Sequence, residues 1–274
     1  GSPPLLRVHG ALKPVDHPRL EPEDTAGVVE QVLPERLRDL FEQQGTVDFS
    51  HSMEGLARFR MNAFHQRGSQ SLAVRRVNFD PPSISDLELP EALYEIADAR
   101  RGLVMVTGVT GSGKSTTLAA MLRHINETRR EHVITVEDPI EYLYRDNKAV
   151  FNQMELGVDT PDFQVALKHV LRQDPDIILI GETRDHETIK TALSSVETGH
   201  LVFSTLHTPD AKQTLNRILH FFPQSDERLI LQQLALSLKA VISQRLMPRS
   251  DKKGRVAAVE ILVNTPIASK LIDE

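Results

Sequence analysis

The feature that most constrains the fold of this chain is a glycine-rich stretch between an apolar run and a helix-forming run. It reads Gly108-Val109-Thr110-Gly111-Ser112-Gly113-Lys114-Ser115 and matches the pattern G-x-x-x-x-G-K-[ST]. Glycines allow such a loop to curl until its backbone N–H groups converge on phosphate oxygens, and the dipole of the following helix adds positive potential. The stretch therefore predicts a phosphate-binding loop inside a strand–loop–helix unit. The alternative is a glycine-rich turn that binds no ligand.

The side chains of this loop have separate expected roles. Lys114 should reach the β- and γ-phosphates of a nucleotide, and the hydroxyl of Ser115 should ligate Mg²⁺. The guanine-selective pattern N-K-x-D is absent, because Ala149-Val150 follows Asn147-Lys148, so ATP is the favoured nucleotide. The loop residues expected to bind it are Gly108, Thr110, Gly111, Ser112, Gly113, Lys114, Ser115 and Thr116.

Helix and strand patterns alternate around this loop. Apolar runs predict strands at residues 103–106, 132–136, 177–180 and 201–203. Helices are predicted from the loop to about residue 128, after Thr160-Pro161-Asp162 with the proline at the first helical position, and from about residue 185 to Gly199. Such alternation predicts the α/β class, with a mainly parallel sheet between flanking helices.

The first 80 residues predict a separate, small α+β domain. The patterns indicate a strand at residues 5–8 that ends at Gly10, a helix over residues 33–43 closed by Gly45, and strands over residues 57–63 and 71–79. The prolines of Asp80-Pro81-Pro82-Ser83 mark the boundary. The predicted domains are therefore residues 1–80 and residues 81–274.

Acids and histidines follow the predicted buried strands. Residues 177–180 lead into Gly181-Glu182, and the preceding strand leads into Glu137-Asp138. Neighbouring strands of a parallel sheet end at the same edge, so Glu182 is expected to polarise water and Glu137 to help hold the metal. Each could instead be an ordinary surface or capping acid. His207 follows the strand at 201–203, where ligands bind in open α/β sheets, and His200 precedes it. Either histidine could sense the terminal phosphate or be a satisfied structural group.

Arginines are concentrated in residues 55–79, a segment without Asp or Glu that holds Arg58, Arg60, Arg67, Arg75 and Arg76. Three interpretations remain open: a solvated face, a nucleic-acid surface, or arginines that contact the γ-phosphate across an interface. The phenylalanines of this segment are expected on the alternating buried face, and the chain is acidic overall. Nucleic acid is therefore the least favoured partner.

Composition excludes several function classes. The 274 residues include no cysteine, which excludes disulfides, Cys-ligated zinc, iron–sulfur clusters and thiol nucleophiles. The net charge of −6 argues against nucleic-acid binding through bulk charge. No apolar run approaches the roughly 18 residues that cross a bilayer, and the most apolar helix candidate, residues 229–242, is interrupted by polar side chains. A start of Gly1-Ser2-Pro3-Pro4 shows no signal peptide, so a cytoplasmic location with peripheral membrane contact is expected.

Four stretches carry a resemblance to a known family. They are residues 102–118 with the phosphate loop, the run Thr135-Val136-Glu137-Asp138-Pro139-Ile140-Glu141, residues 172–185 with Gly181-Glu182, and residues 198–208 with His200 and His207. In the same order, these stretches resemble four motifs of the type II/IV secretion ATPases: the P-loop, the Asp box, a Walker B motif with glycine in place of its Asp, and the His box. The match is to the PilT-like retraction motors of type IV pili. Residues 58–62 and 66–68 also fit, so the resemblance spans most of the chain.

This resemblance implies a PAS-like N-terminal domain joined to a RecA-like P-loop ATPase domain. It implies a homo-hexameric ring with nucleotide between the two domains, which rotate on ATP turnover and drive a pilus platform protein at the inner membrane. Glu182 would be the catalytic glutamate and Glu137 the acid at the metal and water. His207, with His200 as a second candidate, would respond to the nucleotide state. Arg60 and Arg75, with Arg58 as a further candidate, would reach the phosphates.

Two departures from the family pattern leave alternatives open. Retraction members carry Ala-Ile-Arg-Asn-Leu where this chain has Ile267-Ala268-Ser269-Lys270-Leu271, so a pilus extension or type II secretion ATPase is one alternative. A nucleotide-binding regulatory subunit with little turnover is another. Extension relatives often carry a four-cysteine zinc element, and its absence favours the retraction branch. We also expect the chain to begin inside its N-terminal domain and to lack the family's last helices.

Overall fold

The computed structural model describes residues 1–8, 11–53, 56–251 and 254–274. Contacts divide the chain into a first unit, Gly1–Val77, and a second unit, Asn78–Glu274. The division falls three residues before the boundary predicted after residue 80. Gly10, which was expected to end the first strand, lies outside the described residues.

The first unit is α+β. Its elements are β1 (Leu5–Val8), β2 (Ala11–Pro14), α1 (Pro22–Val32), a 3-10 turn (Glu35–Leu37), α2 (Arg38–Gln44), β3 (Thr46–Met53), β4 (Ala57–Gln66) and β5 (Ser69–Arg76). β1 and β2 pair with each other, and β3, β4 and β5 form an antiparallel sheet in that order. Val29 of α1 and Phe41 of α2 pack on the sheet face that carries Val47, Phe49 and Met61. The helices therefore cover one face of this sheet.

Three sequence predictions for this unit need correction. The helix predicted over residues 33–43 is a 3-10 turn followed by α2, although it does end at Gly45, whose φ of +72° suits glycine. α1 was not predicted, although its start is marked by Pro22 and an acidic first turn. Phe64 points to the same side of β4 as Arg60, because residues of equal parity share a face of a strand.

The second unit is built on a seven-stranded sheet. Its elements are β6 (Asn78–Phe79), α3 (Ala92–Ala97), β7 (Gly102–Thr107), α4 (Lys114–Thr128), β8 (His132–Glu137), β9 (Tyr142–Leu143), β10 (Val150–Glu155), α5 (Phe163–Val170), β11 (Ile177–Ile180), α6 (His186–Glu197), β12 (Leu201–Leu206), α7 (Ala211–Leu219), a 3-10 turn (Gln224–Asp226), α8 (Glu227–Ser237), β13 (Leu238–Pro248), β14 (Arg255–Val263) and α9 (Pro266–Asp273). The order in the sheet is β10-β8-β11-β12-β7-β13-β14. All neighbours are parallel except β13 and β14.

Both faces of this sheet are covered, which explains the continuous apolar runs in its strands. Alternate residues of one strand belong to different core clusters: Leu103 packs with residues of α5, α6 and α8, whereas Val104 packs with residues of α3 and α4. The predicted α/β class with helices on both sides of a mainly parallel sheet is confirmed. Because the strands run in parallel, the carboxyl ends of β7, β8, β11 and β12 meet at one edge.

Two helix predictions are corrected in this unit. Pro161 lies before α5 rather than inside it, because the Asp162 side chain accepts from the backbone N–H of Val165 and is the N-cap. Residues 229–242 are not one helix, since α8 ends at Ser237 and β13 begins at Leu238. The β-branched pair Val241-Ile242 instead pairs with β7 inside the sheet. Within the described residues, no helix has the length and apolar character needed to cross a bilayer.

Candidate nucleotide site

The phosphate loop connects β7 to α4, as the sequence predicted. Gly108 and Gly113 have φ values of +144° and +93°, which favour glycine. A Cβ on Gly108 would lie 2.4 Å from the backbone oxygen of Gln244, and a Cβ on Gly113 would lie 2.9 Å from the Gln244 Nε2. The two glycines therefore allow β13 to approach the back of the loop closely.

Lys114 is held over this loop by the loop's own backbone. Its Nζ donates to the carbonyl oxygen of Gly108 at 2.8 Å and to that of Val109 at 3.3 Å. Partial burial lowers the pKa of Lys114, and the nearby carboxylate of Glu182 opposes that shift. The ammonium is thus placed to neutralise a phosphate that binds to the loop.

Three predicted site residues form a chain at this edge of the sheet. The Nζ of Lys114 is 3.4 Å from the Nδ1 of His207, and the Nε2 of His207 is 3.2 Å from the Oε1 of Glu182. The tautomer with its proton on Nε2 satisfies both contacts, since Nδ1 then accepts and Nε2 donates. The structure therefore brings Lys114, His207 and Glu182 together.

The backbone around Glu182 is fixed by bonds to β12. The hydroxyl of Thr205 donates to the carbonyl oxygen of Gly181 at 2.8 Å, and the N–H of Thr183 donates to the carbonyl oxygen of Thr205 at 3.0 Å. The second carboxylate oxygen of Glu182 accepts from Arg184, which also pairs with Asp138 at 3.2 Å. The carboxylate of Glu182 is therefore fixed in position by its partners and does not rotate freely as a surface acid would.

Glu137 ends β8, beside β11, but its carboxyl is directed into the protein. Only 7% of the residue is exposed, and its oxygens accept from the Thr135 hydroxyl at 2.7 Å, the Glu141 N–H at 3.3 Å and the Gln153 amide at 3.4 Å. A Cβ on Gly181 would lie 3.2 Å from the Glu137 Cα, so a side chain in place of this glycine would need the backbone of β8 to shift slightly. Glu141, four residues on, is exposed at the same loop, and the sequence analysis assigned it no role.

Burial raises the pKa of Glu137 to about 7, and its hydrogen bonds only partly oppose this effect. Because the folded-state pKa exceeds the ordinary value of 4.5, the contribution of this group to stability is complete below pH 4.5 and is lost as the pH rises through about 7. We expect the free energy of unfolding of the nucleotide-free protein, relative to that of Glu137→Gln, to fall by about 2 to 3 kcal/mol between pH 5 and pH 8. Urea denaturation of both proteins in EDTA measures this difference. Parallel pH curves for the two proteins would contradict it.

His200 is not brought to this site. His200 directly precedes β12, whereas the phosphate loop follows the last residue of β7, which runs parallel to β12. The length of these strands, about 20 Å, therefore separates His200 from the loop. Its Nδ1 lies 2.8 Å from the Ser195 carbonyl oxygen and 3.0 Å from the Thr198 hydroxyl. These contacts are those of a histidine at the end of α6, and a response of His200 to the nucleotide stays a prediction.

The predicted arginines lie on the first unit. Arg60 and Arg75 face each other across β4 and β5, and Arg58 has the same parity on β4. All three are therefore on the sheet face opposite to the one that α1 and α2 cover. Their contact with a phosphate stays a prediction.

Two cavities adjoin the loop edge of the second unit. One of about 440 Å³ is lined by Glu182, His207 and Arg184 together with Arg217 of α7. The other, of about 330 Å³, lies beside Gly113 and is lined by Thr116, Leu87, Leu246, Arg249 and Gln244. Arg217 and Gln244 were not among the site residues that the sequence predicted. For Gln244, the sequence offered one indication of a special role, because the polar pair Ser243-Gln244 interrupts an apolar strand.

Comparison with known proteins gives concordant results. A protein of the bacterium Pseudomonas aeruginosa named type IV pilus ATPase PilU is 44% identical over 99% of this chain and 71% of its own length. The type IV pilus retraction ATPase PilT of the same organism is 43% identical over 100% of this chain and 79% of its own length. A crystal structure of the pilus retraction motor PilT with bound ADP superimposes with a TM-score of 0.95 at 45% identity, covering 100% of this chain and 80% of that one.

The parallel sheet, the phosphate loop and the acids at its carboxyl edge define a RecA-like P-loop ATPase that binds nucleotide. The family model for type II/IV secretion system proteins matches residues 39–272, and the chain belongs to that family.

Proposed function

We propose that this chain is an ATP-hydrolysing motor that drives retraction of type IV pili and works as a homo-hexamer. The similarity to the retraction ATPase PilT over the whole chain supports this function. The observation that carries the hydrolytic part is the contact chain from Lys114 through His207 to Glu182 at the edge where the phosphate loop opens. A protein that only bound nucleotide would not need a held carboxylate there.

Binding of the nucleotide is assigned to the loop and its two flanks. Backbone N–H groups between Gly108 and Ser115 would hold the phosphates, and Lys114 would exchange its loop carbonyls for phosphate oxygens. The cavity beside Gly113 has apolar walls, among them Leu87 and Leu246, which suit a nucleoside base.

Mg²⁺ fits the donors at this edge. Ser115 is an exposed residue in the first turn of α4, and Glu137 ends β8, which ends at the same edge of the sheet as β7. Hydroxyl, phosphate and water oxygens are the ligands that Mg²⁺ takes in nucleotide sites. When bound, Mg²⁺ neutralises phosphate charge. Ser115 would be its ligand, and Glu137 would be the acid at the metal and water.

Hydrolysis is assigned to Glu182 with His207. The carboxylate of Glu182 would accept a hydrogen bond from the attacking water and align it with the γ-phosphate. His207, whose Nε2 already contacts that carboxylate, would respond to the terminal phosphate and hold Glu182 in place. Water aligned in this way adds to phosphorus as the bond to the β-phosphate oxygen breaks, and the water proton leaves toward Glu182.

The arginines of the first unit are assigned to charge neutralisation across an interface. Arg60 and Arg75, with Arg58 beside them, present three guanidinium groups on one sheet face. In a ring with nucleotide between domains, such a face would contact the phosphates and stabilise the charge that develops during hydrolysis. Turnover would then depend on assembly.

The experiment that tests this function uses a strain deleted for its own pilus retraction ATPase. We expect the chain to restore twitching motility, whereas Arg60→Ala should not restore it and should lower ATP turnover by about 100-fold or more while the hexamer persists in size-exclusion chromatography. Arg76→Ala is the matched control, because Arg76 is exposed on the opposite side of the same sheet. Unchanged turnover in Arg60→Ala would indicate that the arginines of this sheet face are solvated and do not contact the phosphates.

The same assays separate the alternatives. A regulatory subunit would bind nucleotide and release little phosphate. An extension or secretion ATPase would release phosphate without restoring twitching. The platform protein at the inner membrane and the peripheral cytoplasmic location are part of the same proposal, and nucleic acid has no role in it.

A further inference from the structure

Gln244 of β13 reaches the back of the phosphate loop. It is 2% exposed, and its Nε2 donates to the carbonyl oxygen of Ser112 at 2.6 Å. The same nitrogen would lie only 2.9 Å from a Cβ on Gly113. One side chain from a neighbouring strand therefore contacts two consecutive residues of the loop immediately before Lys114.

The backbone of β13 is held in register with the loop at this height. Ser243 is paired with Thr107, the last residue of β7, and their buried hydroxyl oxygens are 2.8 Å apart. One residue further on, the backbone oxygen of Gln244 leaves no room for a Cβ on Gly108. The backbone pairing of β13 with β7 fixes both strands at this point independently of the two hydroxyls, so Gln244 presents its amide to the loop from a rigid support.

The carbonyl oxygen of the Gln244 amide, Oε1, argues that this side chain does more than stabilise the fold. Among the residues that the structure describes, the Oε1 of Gln244 and the Oγ of Ser112 are buried without a hydrogen-bond partner. A buried polar atom without a partner destabilises a fold, and an apolar side chain of similar volume would avoid that cost. The amide is therefore better explained by the bond that its Nε2 makes to the loop.

We propose that Gln244 is a positioning residue for the phosphate loop, which holds the Ser112 carbonyl away from the phosphates so that the loop N–H groups converge on them. A carbonyl engaged by Gln244 cannot rotate toward a bound phosphate, where its negative end would repel the ligand. This inference rests on the proposed binding of nucleotide by this loop. It assigns to β13 a part in ligand affinity that lies outside the loop motif.

The test compares Gln244→Met with the unsubstituted chain. Methionine keeps the length and volume of the side chain but lacks the amide. We expect the Kd for Mg·ADP, followed with a fluorescent N-methylanthraniloyl-ADP probe, to rise about tenfold, since one hydrogen bond supports the loop. The KM for ATP should rise in parallel while kcat stays within about threefold, because the loop contacts the phosphates equally before and during reaction. The thermal midpoint of the nucleotide-free protein should be unchanged or higher.

Two further variants make the result decisive. Gln244→Glu places a carboxylate against the Ser112 carbonyl, so its Kd should rise more than that of Gln244→Met. Ser243→Ala is the matched control on the same strand, because it removes the bond to Thr107, lowers the thermal midpoint and should leave the Kd within about twofold.

Equal affinity in Gln244→Met and the unsubstituted chain would overturn the inference. A rise in Kd that Ser243→Ala reproduces, or failure of both Gln244 variants to fold, would also overturn it, because Gln244 would then act through stability alone. If the folded, unsubstituted chain takes up no probe, the proposed nucleotide binding itself fails. The two failures are therefore distinguishable.

Discussion

Replacement of Lys114 by alanine is expected to lower the affinity of the chain for ADP and ATP by about 100-fold, because a charge-assisted bond to phosphate is removed from a partly buried site. The change also removes the contacts of its Nζ to the Gly108 and Val109 carbonyl oxygens. The loop would then carry two carbonyls without the cation that offsets them. Titration with a fluorescent nucleotide measures the loss, and turnover should fall with binding.

Lys190→Ala is the matched control for this variant. Lys190 is an exposed residue of α6, so its removal changes the net charge by the same amount at a distance from the loop. Its affinity for nucleotide should equal that of the unsubstituted chain. If Lys114→Ala binds as tightly as this control, the loop is a glycine-rich turn and the nucleotide site lies elsewhere.

Glu182→Gln is expected to retain nucleotide binding and to lower ATP turnover by about a thousandfold, in the range by which a positioned general base accelerates a reaction. The amide keeps an oxygen that can accept from the Nε2 of His207, which lies 3.2 Å from the carboxylate, so the geometry of the site should persist. What is lost is the negative charge that polarises water. Phosphate release under saturating Mg·ATP, together with binding of ADP, separates the two effects.

The control for this variant is Glu187→Gln on the exposed first turn of α6. It also removes one negative charge, and its turnover should match that of the unsubstituted chain. Full activity in Glu182→Gln would remove this residue from the mechanism and leave His207 without its assigned partner.

Much of this site could be predicted from the sequence, because its parts follow local rules. A glycine-rich loop followed by Lys114 and Ser115 has one favoured structure, and an apolar run such as Ile177–Ile180 belongs in a buried parallel strand. Once the strands are parallel, acids and histidines that follow them must meet at one edge. The joint placement of Lys114, His207 and Glu182 follows from these two rules.

The remainder depends on contacts between distant parts of the chain. His200 resembled His207 in sequence context, but the direction of β12 puts the two at opposite ends of one strand. Residues 229–242 have a helical composition, yet their last five residues belong to β13 and pair with β7. Gln244 contacts Ser112 across 132 positions of sequence, and no local pattern indicates such a contact.

Burial likewise modifies the role of Glu137. Its place after a strand predicted a metal ligand, and only the packed structure places its carboxyl against Thr135 and Gln153. The raised pKa of Glu137 follows from that burial and from no feature of the sequence around it.

We expect ATP to bind on the loop before α4 and to be cleaved by water held at Glu182. Quenched single-turnover analysis of the nucleotide bound to the protein tests it most directly. The unsubstituted chain, mixed with limiting Mg·ATP, should come to hold ADP, while Glu182→Gln should still hold intact ATP at the same time. Absence of bound nucleotide on well-folded protein, or equal conversion by both proteins, would contradict the account.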